Sequence, residues 1–205
     1  KHETKATSAQ ERGGSDKYGD GVFEHPPGSV PGDFDEHSID AFVLVASDGS
    51  LTFYATKHTP MNTIIAMPMS DLRTVIPEEM VVITEPDYGT WEGFINEAPW
   101  VNELDGRFVL TYSGFGADRP GYSLGVAVAD SPLGPFAKSP DNPFLSQVPE
   151  KGFFGPGHHS IAPGFCEDLL IFYHTKVSGE TGWERRLRHA PLSFDGLTPV
   201  LPPLP

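Results

Sequence analysis

Three segments of the sequence repeat one pattern, and this repeat constrains the fold more than any other feature. They read DAFVLVASDGSLTFYAT from Asp40, EAPWVNELDGRFVLTYS from Glu97 and HSIAPGFCEDLLIFYHT from His159. Each segment begins with a polar residue, continues with a mostly apolar run and reaches an acidic turn eight residues later. Asp-Gly between apolar runs is a strong signal for a tight β-hairpin. The starts lie 57 and 62 residues apart, which is typical of arrays of β-structured units.

The repeat predicts an all-β fold of the β-propeller type, with one inner strand beginning near each of Asp40, Glu97 and His159. Inner strands of successive blades line a central channel, so these three side chains are expected to converge on one axis. Hairpins are expected at Asp48-Gly49 and Asp105-Gly106, and a third turn at Glu167-Asp168. A β-sandwich with coincidental hairpins is the alternative.

Composition supports short strands and narrows the range of partners. The chain has 22 glycines and 21 prolines with little helical periodicity, and residues 70–80 are expected to form one helical turn at most. A net charge of −14 argues against nucleic acid or an anionic membrane surface as partner, and no apolar stretch is long enough to span a bilayer. Residues 1–20 are polar and predict a mobile N-terminal segment, followed by one domain over 21–205.

Two carboxylates and a histidine around one cavity suit acid–base chemistry. Glu97 precedes the apolar run Ala98-Pro99-Trp100, and both desolvation and a neighbouring Asp40 would raise its pKa toward that of a general acid. Trp100 and Phe154 are candidates for stacking on a sugar ring, with core packing as the alternative reading. The pair His158-His159 would send one imidazole to each side of a strand, toward a metal ion or its waters or toward the acids.

Several motifs in fixed order resemble glycoside hydrolase family 43: NEAPWV, GRFVLTYS, YSLGVAVADSPLGPF, GPGHHSI and LIFYHTK. The stretch IDAFVLVASDGSLTFY resembles the family's blade that begins Ile-Asp-Pro, with Ala41 in place of the proline. The resemblance runs from about Ile39 to Pro199. It implies a five-bladed β-propeller enzyme that inverts configuration and acts mainly on arabinofuranosyl and xylosyl linkages.

The resemblance also assigns roles to single residues. Glu97 matches the general acid, and Asp40 matches the aspartate that tunes and orients it. His158 matches a histidine beside a central calcium ion or its waters, whereas the repeat register favours His159. Arg185 matches an arginine that contacts the sugar or the carboxylates, with Arg186 as its competitor.

One part of the family pattern is missing, namely the catalytic base, an aspartate in the first blade. Only 39 residues precede Asp40, and none of their aspartates heads an apolar strand: Asp16, Asp20, Asp33 and Asp35. The sequence therefore predicts three to four blades and lacks the family's first blade. The catalytic base would then come from a second chain or from a missing part of the protein. The alternatives are a sugar-binding module without catalysis and a fragment of a longer enzyme. An enzyme acting on arabinose- or xylose-containing plant saccharides is expected outside the cell.

Overall fold

The computed structural model describes residues 38–58, 61–164 and 169–204, which form three antiparallel β-sheets in sequence order. The predicted N-terminal segment over residues 1–20, the four N-terminal aspartates and the Glu167-Asp168 turn lie outside the described residues. Within the described residues, the helical structure consists of two short 3-10 turns, Pro77–Glu79 and Pro149–Lys151. The first of them lies in the stretch for which one helical turn was expected.

The first sheet holds five strands in the order β1-β2-β3-β4, with β5 also paired to β3. Its strands are β1 (Ser38–Val45), β2 (Leu51–His58), β3 (Asn62–Asp71), β4 (Thr74–Val75) and β5 (Val81–Thr84). The central strands β2 and β3 are buried over most of their length, and β6 of the second sheet packs against them.

The second and third sheets each hold four strands in simple meander order. The second consists of β6 (Asn96–Leu104), β7 (Arg107–Gly114), β8 (Ser123–Ala129) and β9 (Ala137–Lys138). The third consists of β10 (Phe154–Pro163), β11 (Leu169–Lys176), β12 (Arg185–Asp195) and β13 (Thr198–Val200). The repeat predicted that the inner strand of the third sheet begins near His159. The observed strand β10 begins five residues earlier, at Phe154.

Both predicted Asp-Gly hairpins are confirmed. Asp105 and Gly106 have φ of 50° and 73°, the left-handed pair of a two-residue hairpin turn, and they join β6 to β7. Gly49 has φ of 85° in the turn between β1 and β2, where its amide donates to the Ala46 carbonyl. These turns fix the register of the two strand pairs that carry Asp40 and Glu97.

The three sheets stack as successive blades rather than as two faces of a sandwich. β6 contacts β1, β2 and β3 of the first sheet, while β10 contacts β6, β7 and β8 of the second. One apolar cluster lies between the first and second sheets and includes Tyr54, Ile64 and Leu110. Another joins Leu124 of the second sheet to Ile171 of the third. The fold is therefore the predicted β-propeller, and its described part consists of three blades.

Across the described residues, no helix is both long enough and apolar enough to cross a membrane.

Candidate active site

Each inner strand is interrupted at the same place by a β-bulge, and these bulges build the site. Two residues face one residue of the neighbouring strand in the gaps between Ile39 and Phe42, Glu97 and Trp100, and Gly157 and Ser160. The first residue of each bulge is left-handed: Asp40 with φ of 59°, Ala98 with φ of 53° and His158 with φ of 48°. Such a conformation costs a non-glycine residue about 1 kcal/mol or more, and strained residues of this kind cluster at functional sites.

The bulges also correct the register of the repeat. Asp40 is structurally equivalent to Ala98 and His158. Glu97 therefore lies one residue before the position that is equivalent to Asp40 in the second blade, and His159 lies one residue after the equivalent position in the third. The apolar pattern could not reveal this because a bulge adds one residue to a strand without changing the character of the residues around it. Asp40, His158 and His159 line one cavity, whereas Glu97 is not among its lining residues and lies beside Asp40 through the Ala98 amide.

Asp40 links the first blade to the second. Its Oδ2 accepts hydrogen bonds from the Thr56 hydroxyl at 3.0 Å and from the Ala98 amide at 3.1 Å. The Ala98 amide belongs to the residue directly after Glu97. The Asp40 carboxylate is therefore fixed against the backbone that carries Glu97, and Thr56 is a positioning partner that the sequence did not single out.

Glu97 is buried with 8% of its surface exposed, and its Oε1 accepts a hydrogen bond of 2.5 Å from the Tyr122 hydroxyl. Burial raises the pKa of Glu97 above its ordinary value, and the charge of Asp40 adds to the rise. The hydrogen bond from Tyr122 opposes it, as do the nearby His158 and His58. A carboxyl group whose pKa is raised by burial holds its proton closer to neutral pH, which a general acid requires.

The two histidines of the third blade take different positions. His158 is exposed, with its Nε2 at 3.8 Å from Asp40 Oδ1. His159 is buried, and burial lowers its pKa to about 3, so its ring is neutral. Its Nε2 lies 2.6 Å from Thr111 Oγ1, whose own proton goes to the Trp100 carbonyl. His159 Nε2 must then carry the ring proton, which leaves Nδ1 as a free acceptor.

A cavity of about 240 Å³ lies on the axis among the three bulges. Its lining comes from the equivalent residues of all three blades, namely Asp40–Phe42, Ala98–Trp100 and His158–Ser160. His159 Nδ1 is buried without a hydrogen-bond partner among the described residues. An unpaired buried acceptor on a residue that lines a cavity is a candidate partner for a water molecule.

The predicted substrate-binding residues fall on two sides of the bulges. Phe154 and Arg185 are both cross-strand partners of Lys176 and stand at the starts of β10 and β12. Glu97 stands near the start of β6, which is the equivalent end of the second blade. The Arg185 guanidinium lies 5.7 Å from the centre of the exposed Trp183 ring. Trp100, in contrast, packs on Phe42 with ring centres 4.5 Å apart and faces the axial cavity. Arg186, the competitor of Arg185, is also exposed.

Tyr122 is the residue of this site that sequence reasoning missed. It is fully buried at the edge of β8, and the only visible signal was an aromatic residue before an apolar strand, which is typical of ordinary core residues. Burial raises the pKa of the Tyr122 hydroxyl well above its ordinary value, and the charge of Glu97 raises it further. The Tyr122 hydroxyl therefore keeps its proton and can donate it to a hydrogen bond with Glu97.

Comparison with known proteins places this geometry in a family. The profile of the glycosyl hydrolases family 43 matches residues 15–197. The chain is 29% identical over 160 residues to alpha-L-arabinofuranosidase 43 of Humicola insolens, covering 71% of this chain and 32% of that protein. It is 29% identical over 98 residues to a beta-D-galactofuranosidase of Aspergillus niger, covering 48% of this chain and 28% of that protein.

Solved structures give the same answer. A thermostable family-43 glycoside hydrolase superposes with a TM-score of 0.75 and 30% identity, over 84% of this chain and 62% of that one. The chain thus spans about a third of the length of the curated relatives it matches and about three fifths of this structure. The family profile covers most of the sequence, and the three blades superpose on a member of known structure. This chain belongs to the glycosyl hydrolases family 43.

Proposed function

We propose that the protein is an inverting glycoside hydrolase of arabinofuranosyl or xylosyl linkages, with Glu97 as the general acid. The observation that carries the proposal is the environment of Glu97, a buried carboxyl group with a raised pKa, bonded to Tyr122 and close to Asp40. The arabinofuranosidase and galactofuranosidase that it resembles favour a furanosyl substrate.

In this mechanism Glu97 protonates the departing glycosidic oxygen while a carboxylate on the opposite face of the sugar activates a water molecule. Inversion requires the two carboxyl groups to be about 6.5–9.5 Å apart so that the water fits between them. Asp40 is held by Thr56 and Ala98, and its charge raises the pKa of Glu97, so we assign it the role of tuning and orienting the acid. The base is assigned to a part of the protein outside the described residues, on this chain or on a second one.

Phe154 and Arg185 are proposed to contact the saccharide, because both lie at the edge of the third blade that faces the same way as Glu97. Burial lowers the pKa of His174 to about 4, and the nearby charge of Arg185 adds to this effect; His174 in turn stacks on Tyr122. Trp100 remains a proposed substrate contact only for a sugar that reaches the axial cavity. Action on plant polysaccharides would place the protein outside the cell.

A hydrated calcium ion in the axial cavity belongs to the proposal. The described residues contain no cluster of three or more side chains of the metal-ligating types. Ca²⁺ takes six to eight oxygen ligands, so waters would fill most of its shell. His159 Nδ1, buried and unpaired beside the cavity, fits such a shell as an acceptor, and His158 and Asp40 line the same space. When bound, the ion would supply positive charge beside the carboxylates.

The test of the function is hydrolysis of the nitrophenyl glycosides of α-L-arabinofuranose, β-D-xylose and β-D-galactofuranose, with the product anomer identified by proton NMR. The proposal expects turnover of a pentoside with an inverted anomer as first product. A retained anomer would refute the inverting mechanism. Binding of arabino- or xylo-oligosaccharides without any turnover would favour the sugar-binding alternative.

The intact mass of the purified protein tests where the base resides. A mass well above 22.3 kDa, or a second co-purifying polypeptide of about ten kilodaltons, would support the enzyme with a separate first blade. A polypeptide of this mass alone, fully active on a pentoside, would place the base on this chain and contradict its supply by a second chain or a missing part.

A further inference from the structure

A chain of buried polar groups leads through the interior of the protein to Glu97. It begins at the backbone amide of His158, which donates to Ser113 Oγ at 2.9 Å. The Ser113 side chain lies close enough to Tyr122 to lower the pKa of its hydroxyl, and the Tyr122 hydroxyl donates to Glu97 Oε1 at 2.5 Å. Ser113 and Tyr122 are both fully buried, and Ser113 is also the cross-strand partner of Glu97.

The chemistry of the partners fixes the direction of the two hydrogen bonds. A backbone amide can only donate, so Ser113 Oγ is the acceptor of the first bond. The hydroxyl proton of Ser113 is then available for the nearby Tyr122 side chain, in line with the lowering effect of Ser113 on the pKa of Tyr122. An ionised carboxylate can only accept, so the Tyr122 hydroxyl directs its own proton toward Glu97.

The phenol ring is held in place by close packing on two sides. A Cβ at Gly157 would stand 2.1 Å from Tyr122 Cε1, so only glycine fits at this point of β10. The ring also stacks on His174, with ring centres 5.3 Å apart and planes 14° apart. Gly157 immediately precedes the bulge residue His158, so one strand supplies both the packing surface of the ring and the amide that starts the chain.

We propose that Tyr122 is a positioning residue that holds Oε1 of Glu97 and so reserves Oε2 for the proton given to the glycosidic oxygen. This inference rests on the proposed function of Glu97 as the general acid. Tyr122 can donate to Oε1 in both protonation states of Glu97, since the carbonyl oxygen of a protonated carboxyl group still accepts. The carboxyl group therefore keeps one orientation through the whole catalytic cycle, and the proton leaves and returns at one known atom.

The test compares Tyr122→Phe with Tyr112→Phe. Tyr112 is a matched control because it is also fully buried in the second blade and also donates to a carboxylate, Glu92 Oε1, at 2.6 Å. The first readout is the pKa of the Glu97 carboxyl from carbon-13 NMR of the isotope-labelled chain. Loss of the Tyr122 hydrogen bond should raise the pKa of Glu97, whereas Tyr112→Phe should leave it unchanged.

The second readout is kinetic and uses the protein as purified, with any co-purifying chain. Tyr122→Phe should move the alkaline limb of kcat/KM to higher pH and reduce kcat on a natural saccharide by up to about 100-fold, because the proton is misplaced. A nitrophenyl glycoside should lose much less. An equal loss on both substrates with an unmoved limb would indicate a purely structural role and overturn the proposal.

A measurement on the wild-type chain covers the case in which Tyr122→Phe does not fold. The Tyr122 hydroxyl proton should give a low-field proton NMR signal that is protected from exchange and shifts in Glu97→Gln. Absence of this signal would overturn the proposal. If no saccharide is hydrolysed by the wild type, the proposed function fails, while the two NMR readouts still decide whether Tyr122 holds Glu97.

Discussion

Replacing Glu97 by glutamine removes the transferable proton while leaving the shape of the site intact. The amide oxygen can accept the hydrogen bond that Tyr122 now donates to Oε1 at 2.5 Å. The amide nitrogen then takes the place of Oε2, where it has no proton that it can release. The substitution therefore separates proton donation from packing, which few substitutions at a buried acid can do.

Loss of a general acid costs a factor of about 10²–10⁴ in rate, or about 2.7–5.4 kcal/mol of transition-state stabilisation. The full loss is expected on a natural saccharide, whose departing alkoxide needs the proton. A nitrophenyl glycoside should lose much less because nitrophenolate leaves almost unaided. This split between leaving groups distinguishes an acid from a base or a structural residue.

The same substitution makes a prediction about stability. Burial raises the pKa of Glu97 above its ordinary value of 4.5. Between the unfolded and folded pKa values the folded state binds more protons, so the wild type loses stability as the pH rises through this window. Glu97→Gln removes that loss, and at pH 7 the variant should be at least as stable as the wild type. Urea unfolding at pH 4.5 and pH 7 measures the difference.

Glu103→Gln is the matched control because Glu103 lies on the same strand, near its other end, where it accepts hydrogen bonds from Ser47. This variant should keep wild-type kcat on both substrates. Equal losses on the saccharide and the nitrophenyl glycoside in Glu97→Gln would refute the acid assignment. A Glu97→Gln variant much less stable than the wild type at pH 7 would refute the account of the raised pKa.

Three further substitutions test the packing and electrostatics around the site. In Gly157→Ala the new Cβ would meet Tyr122 at 2.1 Å, so the free energy of unfolding should fall by about 1–3 kcal/mol, together with kcat on saccharides. His159 is neutral in the fold because burial lowers its pKa from 6.5 to about 3. Below pH 6.5 the unfolded chain binds a proton at His159 that the folded chain does not, so the free energy of unfolding falls by about 1.4 kcal/mol per pH unit. His159→Gln should remove this part of the acid sensitivity in urea unfolding. Lys138→Met would leave the buried Glu92 carboxylate without the positive charge that now lies 2.6 Å from it and should lower the free energy of unfolding by about 3–5 kcal/mol.

Each of these has a result that contradicts it. An alanine at position 157 without loss of melting temperature would show that the Tyr122 ring has room to move. An acid sensitivity of His159→Gln equal to that of the wild type would mean that His159 is charged or exposed. A Lys138→Met variant as stable as the wild type would show that Glu92 finds other partners.

The general outline of the fold was predictable because hairpins are encoded locally. Asp105-Gly106 adopts left-handed dihedral angles that few other dipeptides allow, and the alternation on either side sets which face is buried. The spacing of three such units then predicted blades, and the three described sheets confirm it. The start of β10 was placed five residues late, because the Gly155-Pro156-Gly157 stretch looks like a turn in sequence although it lies within the strand.

By itself, the sequence determined the β-architecture of repeated blades and the proximity of Asp40, Glu97 and a histidine, since hairpin chemistry and a repeated period act over short range. Only the tertiary structure decided the details on which the chemistry depends. The bulges shift Glu97 by one residue from the position equivalent to Asp40. Tyr122, which directly precedes β8 of the same blade, reaches Oε1 because Gly157 of the next blade leaves space for its ring. Contacts between residues 25 to 45 positions apart leave no periodic trace, so they become visible only when the blades are packed against one another.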